Sequence, residues 1–251
     1  MILAFGIILV IVSLVVHEAG HAIAMTRRDV EIQEVGIGIP IGKLKLTLHP
    51  KLLPYPVVIG LLPLGAYVRP SEAGNKQLKA MNYKDQAVCY SAGIIVNVVF
   101  GGLLLVVTLI CMSFAGEGHP IVIMATLGLA VIFTVFRRFI SLIMPIIGIA
   151  SIILVAYLMV QSLDNVGGPV ALIGIIRDSS TSWFDVLVMA GVISISIGQF
   201  NTLCLIPLDG GRVTQAFFES RGLQKASNIF QNVSFVFFAC FFLFVIAHDF
   251  F

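Results

Sequence analysis

Hydrophobic positions in this chain run rather than recur. Long apolar stretches cover Ile2 to Met25, Ala87 to Phe114, Ile121 to Phe136, Phe139 to Val160, Phe184 to Ile206 and Ile229 to Ala247. A bilayer core takes about 20 apolar residues per helix, so six spans are predicted, the third being the shortest. Between the first two the pattern changes. In "VGIGIPIGKLKLTLHP" apolar residues alternate with Gly, Lys and Thr, the period-two mark of strands. Short strands are predicted at Val35 to Ile39 and Leu44 to Leu48. The following "PYPVVIGLLPLGAYV" is too apolar for a solvent loop and too rich in Pro and Gly for a continuous helix. Irregular backbone at membrane depth must be buried in protein or line a cavity. That predicts a re-entrant hairpin over 57 to 68, which a valine at Gly60 or Gly65 is expected to crowd. The alternative is an amphipathic loop lying on the membrane surface. The expected fold class is membrane all-α, with about six transmembrane helices and a small β-rich, partly re-entrant insertion between the first and second. Residues 1–251 are expected to form one polytopic membrane domain.

Composition sharpens this. Hydrophobic residues make up 59% and charged ones 11% of the 251, with a mean hydropathy of +1.05; an ordinary soluble domain has about 25% charge. A net charge of +2 gives no reason to expect a nucleic-acid partner. The first run has no basic residue before it and exceeds the roughly 7–15 residues of a cleavable signal core, so it is expected to remain as a helix. Cys89, Cys111, Cys204 and Cys240 lack the paired spacing of a metal ribbon or disulfide framework. The basic residues are unevenly placed. Of fifteen, nine fall in 26–86, Arg137 and Arg138 follow the third run, and Arg212, Arg221 and Lys225 follow the fifth; Arg177 alone lies in an alternate loop. Positive charge collects on the cytoplasmic side. Both chain ends are therefore expected outside, with the ends of the first and fifth runs and the 26–86 region toward the cytoplasm.

Three ionisable groups interrupt the first run, in "VVHEAGHAIA". On a helix His17 and His21 lie about 40° apart with a rise of about 6 Å, so both imidazoles reach one metal ion. In H-E-x-x-H the histidines bind zinc and the glutamate, here Glu18, takes a proton from water. The same groups would also suit a metal or proton transporter, since ionisable residues in spans are functional without being catalytic. Zinc that keeps a position open for water needs a third protein ligand. Asp209, in "NTLCLIPLDGGRV", is the candidate, because it follows the fifth run beside residues that would stop a helix, Pro207, Gly210 and Gly211. The charge count brings it to the same side as His17 and His21. Its other reading is a carboxylate at a helix-ending turn, paired with Arg212. Gly93 and Asn97, four apart in "SAGIIVNVV", suit either helix packing or an amide with a functional partner, and Asn201 carries the same ambiguity. His49, His119 and His248 are expected at the surface.

These motifs resemble the site-2 protease family, peptidase family M50, the zinc intramembrane metalloproteases. "HEAGH" at 17–21, "AGIIVN" at 92–97 and "NTLCLIPLDGGR" at 201–212 follow the family's three motifs in order, and "LLPLGAYV" at 61–68 is similar to its re-entrant loop. "GGPVALIG" at 167–174 is similar to the segment before its last core helix. The resemblance implies one zinc ion held by His17, His21 and Asp209, with Glu18 as catalytic base. It makes Asn97, Asn201 and Gly65 candidate contacts to the substrate, a transmembrane segment of another protein in the lipid bilayer. It implies a multi-pass protein of the cell membrane, the cytoplasmic membrane in bacterial relatives. Two departures bear on the substrate groove: Ile94 and Cys204 stand where the family has proline. The chain resembles a compact member without a PDZ domain, so substrate admission falls to the membrane domain or an accessory membrane protein. An extended substrate would find an exposed strand edge in 35–48 or 57–68. Other readings fit less well: Glu18 is intact, against an inactive relative, and the Asp-Gly-Gly-Arg ending is unlike prenyl-protein endopeptidases.

Overall fold

A computed structural model describes residues 2–39, 44–114 and 182–250. The expected spans Ile121 to Phe136 and Phe139 to Val160 lie outside the described residues. In chain order the elements are α1 (Ile2–Thr26), β1 (Ile32–Ile39), β2 (Lys45–Leu48), β3 (Val57–Gly60), β4 (Leu62–Pro70), α2 (Glu72–Ala80), α3 (Tyr83–Phe114), α4 (Trp183–Asn201), α5 (Asp209–Ser220) and α6 (Gln224–Phe250). Among them α1, α3, α4 and α6 are long and apolar enough to cross a membrane. Several polar side chains inside these helices bond to their own backbone one turn back, as Ser13 does to the Leu9 carbonyl and Thr108 to that of Leu104.

α3 is the central helix, packing against α1, α4 and α5. Small residues set these approaches. A Cβ on Gly20 of α1 would sit 2.8 Å from the Ala92 carbonyl oxygen, and one on Gly191 of α4 would sit 2.9 Å from that of Gly101. Side-chain-free contacts of this kind substitute for a hydrophobic driving force, which apolar lipid cannot supply. An ion pair joins the ends of α1 and α3, with Arg28 Nε 3.0 Å from Asp85 Oδ1 while Asn82 donates to the other carboxylate oxygen at 2.7 Å. α1 stops where Asp29 takes a left-handed φ of 58° and Val30 N–H turns back to the Met25 carbonyl.

The insertion is a four-stranded mixed sheet in the order β2-β3-β1-β4. β1 pairs parallel with β3 and antiparallel with β4, and β2 pairs antiparallel with β3. The two predicted strands are thus present, but they are not neighbours. The hairpin pairing expected within 57–68 is corrected as well: Leu61 alone separates β3 from β4, yet the chain passes from one edge of β1 to the other and β3 and β4 do not pair with each other. Inside the sheet Tyr67 donates to Glu34 Oε1 at 3.1 Å, Arg69 pairs with the same oxygen at 2.7 Å, and the Arg69 guanidinium lies 5.2 Å from the Tyr67 ring. Gly65 has φ +77° and open space where a Cβ would go. A valine there would strain the backbone rather than crowd a neighbour, which corrects the expected mechanism.

The fifth predicted span also ends early. α4 stops at Asn201, because 202–208 folds into tight turns, with Leu205 N–H on the Leu203 carbonyl and Leu208 N–H on the Leu205 carbonyl. Gly210 and Gly211 do not end a helix. They lie in the first turn of α5, where a Cβ on either would run into the backbone of Thr202 or Leu205.

Candidate metal centre

Three elements meet at the buried end of α1. The helical spacing turns His17 and His21 to one side, α5 opens with Asp209, and α3 passes beneath with Gly93. His17 Nε2 lies 3.0 Å from Asp209 Oδ2, His21 Nε2 lies 3.1 Å from the same oxygen, and the two Nε2 atoms are 3.2 Å apart. All three residues are buried, at 5%, 6% and 9% exposure. As the first residue of α5, Asp209 also places its charge where the helix dipole favours an anion.

The chemistry of this donor set fits a metal. His21 Nδ1 donates to the Cys89 carbonyl at 2.8 Å, which leaves Nε2 as the lone-pair nitrogen aimed at a carboxylate oxygen. Two acceptors at 3.1 Å repel unless a proton or cation lies between them. Atoms at these three separations form a near-equilateral triangle. A point roughly 1 Å above its plane is about 2 Å from every corner, the length of a zinc–nitrogen or zinc–oxygen bond. Gly93 makes room: a Cβ there would stand 2.7 Å from His17 Nε2 and closer still to that of His21.

Beside the cluster is a cavity of about 210 Å³ whose wall includes Glu18, Ala66 to Val68, Tyr90, Asn201 and Arg212. Glu18 is half-buried and is not one of the three converging groups. Of the predicted substrate contacts, Asn201 lines this cavity, with one amide N–H donated to the Ile197 carbonyl. Asn97 and Gly65 do not line it. Asn97 is wholly buried where α3 meets α4, its backbone carbonyl accepts from Ser194 Oγ, and neither polar atom of its side chain has a partner among the described residues. Asp209 is not paired with Arg212. Its partners are the two imidazoles. His49 is exposed, as expected, while His119 lies outside the described residues.

The two departures from the motif pattern have local accounts. Ile94 lets α3 run unbroken and packs with Ala87 and Val213. Cys204 is buried, its Sγ 2.9 Å from the hydroxyl of Thr214, which also donates to the Gly210 carbonyl. Sequence reasoning missed Tyr67, Tyr90 and the cavity-facing role of Arg212; nothing in their spacing signals it. Gly93 was legible only as a packing residue.

Two imidazoles and a carboxylate facing one point, beside a free carboxylate and among membrane-length helices, are the equipment of a membrane metalloprotease. Residues 5–245 match the family model of peptidase family M50, and the chain belongs to that family, the site-2 proteases. It is a multi-pass membrane protein of the metalloprotease class. No curated protein matches the chain significantly.

Proposed function

We propose that this protein is a zinc-dependent intramembrane endopeptidase that cuts transmembrane segments of other membrane proteins, and so acts in regulated intramembrane proteolysis. The observation that carries the reading is the convergence of His17, His21 and Asp209 beside Glu18 in one cavity. His17, His21 and Asp209 would hold one ion. Bound there, zinc supplies Lewis acidity toward a peptide carbonyl and toward water. Glu18 is the general base: it accepts a proton from the attacking water and returns it to the leaving nitrogen.

Substrate must reach this point extended, since a helical peptide bond is shielded by its own turns. β4 is an edge strand, and its Ala66, Tyr67 and Val68 form part of the cavity wall. An added substrate strand along that edge would lie across the site. Asn201 is positioned to contact it, whereas a substrate would reach the Asn97 amide only by parting α3 from α4. At the other edge, β2 carries exposed Leu46 and Leu48 on one face and exposed Lys45 and Thr47 on the other, which suits a sheet seated at a lipid boundary. The charge distribution supports a site open to the cytoplasmic side.

The test is cleavage by the purified protein in lipid bilayers. Chelation is expected to abolish cutting of a transmembrane substrate and added zinc to restore it. Cleavage that continues at full rate after zinc removal would refute the reading. Zinc or proton flux without cleavage would favour the transporter alternative.

A further inference from the structure

Arg212 stands in the wall of the site cavity and shares it with Glu18. It lies in the first turn of α5, three residues after Asp209, and its side chain is exposed. It borders the site cavity and also a second, polar cavity of about 320 Å³ lined by Lys79, Gln86, Gln215 and Glu219; Tyr90 and Arg212 are common to both. Among the described residues its guanidinium has no hydrogen bond and no ion pair. Of the nearby carboxylates, Asp209 is engaged by the imidazoles and Glu219 by Gln215 and Ser227, while Glu18 shares the cavity wall and attracts Arg212 without forming an ion pair with it. An exposed guanidinium keeps its N–H donors available to a ligand that enters the cavity. With no hydrogen bond of its own among the described residues, its guanidinium is placed to receive a negative charge that develops in this cavity during the reaction.

Peptide hydrolysis creates such a charge. Water's oxygen bonds to the carbonyl carbon, the carbonyl oxygen becomes negative, and the carbon–nitrogen pair then leaves with nitrogen. The nitrogen takes the proton Glu18 received, and the new acid gives up its own, so the products are a carboxylate and an ammonium. Of the other donors on the wall, the Tyr67 hydroxyl bonds to Glu34 and Asn201 to the Ile197 carbonyl, and the Tyr90 hydroxyl is neutral and offers a single hydrogen. Arg212 is the cation among the cavity-lining residues, and its planar fork of N–H donors matches both an oxyanion and a carboxylate. We infer that Arg212 is a further catalytic residue, donating to the scissile carbonyl oxygen as its charge grows and then to the product carboxylate. The inference rests on the peptidase reading above.

The experiment measures kcat, KM and zinc content for Arg212→Ala and Arg212→Lys in bilayers, with Glu18→Gln in parallel. Loss of an oxyanion donor typically lowers kcat about 100- to 1,000-fold. Arg212→Ala is expected to fall in that range with zinc retained, and millimolar guanidinium ion should restore part of its rate but none to Glu18→Gln. Arg212→Lys, which keeps charge but loses the fork, should retain KM and lose at least about tenfold in kcat; it carries the test if Arg212→Ala does not fold. Wild-type kcat in either variant, loss of zinc, or a defect in Arg212→Ala that guanidinium leaves unchanged would overturn the inference. If Glu18→Gln also cleaves normally, the peptidase reading itself falls; if Glu18→Gln is inactive, that reading stands without Arg212.

Discussion

Gly93→Ala is expected to leave the protein folded in the membrane yet without metal and without peptidase activity. The added Cβ would lie 2.7 Å from His17 Nε2 and closer to His21 Nε2, at the point where the proposed ligands converge. α3 cannot withdraw, because its backbone is already held against α1 at Gly20 and against α4 at Gly191. The histidine tips can swing aside, so the fold survives at the expense of the site. Gly102→Ala on the same helix is the control: its Cβ meets nothing within 4 Å, and alanine improves helix propensity by about 1 kcal/mol. Zinc per chain and cleavage rate should be lost in the first variant and kept in the second. Equal zinc in both would mean that the ligands do not meet above Gly93.

Glu18→Gln should produce the complementary result, a protein that keeps its zinc and loses turnover. The amide is nearly the same size as the carboxylate, and Glu18 is not one of the three converging groups, so the ligands stay in place. What is removed is the proposed proton acceptor. General-base contributions are about 10²- to 10⁴-fold, and kcat should fall at least by that much with KM little changed. Single-turnover cleavage of a transmembrane peptide reads this directly. Turnover near the wild-type rate would remove Glu18 from the mechanism and send the search for a base elsewhere in the cavity.

Features whose logic is local are legible in the sequence. His17, Glu18 and His21 fall within one helical turn, and long apolar runs announce their helices without any knowledge of partners. Asp209, distant in sequence, could be joined to them only through the inference that two helices end on the same side of a membrane. Where pairing decides the outcome, pattern was insufficient. β3 and β4 read as a hairpin because they adjoin in sequence, but β1 offers both its edges and takes one strand on each. Pro207, Gly210 and Gly211 read as a stop signal, whereas α5 starts there and the glycines admit the backbone of the preceding turn. The place of Gly93 under the ligands and the freedom of Arg212 depend on how α3 and α5 are set against α1, which no spacing within one segment records. Asn97 shows the converse: a polar residue in an apolar run was readable, but its position between α3 and α4, away from the cavity, was not.

The proposed mechanism stands on one catalytic zinc ion held by His17, His21 and Asp209. X-ray absorption at the zinc edge of the purified, active protein tests it most directly. The account predicts one zinc per chain with a first shell of nitrogen and oxygen at about 2.0–2.2 Å, including the signature of two imidazoles, and a lower zinc content in His17→Ala, His21→Ala and Asp209→Ala. Sulfur at about 2.3 Å, or full activity in protein that carries no zinc, would contradict it.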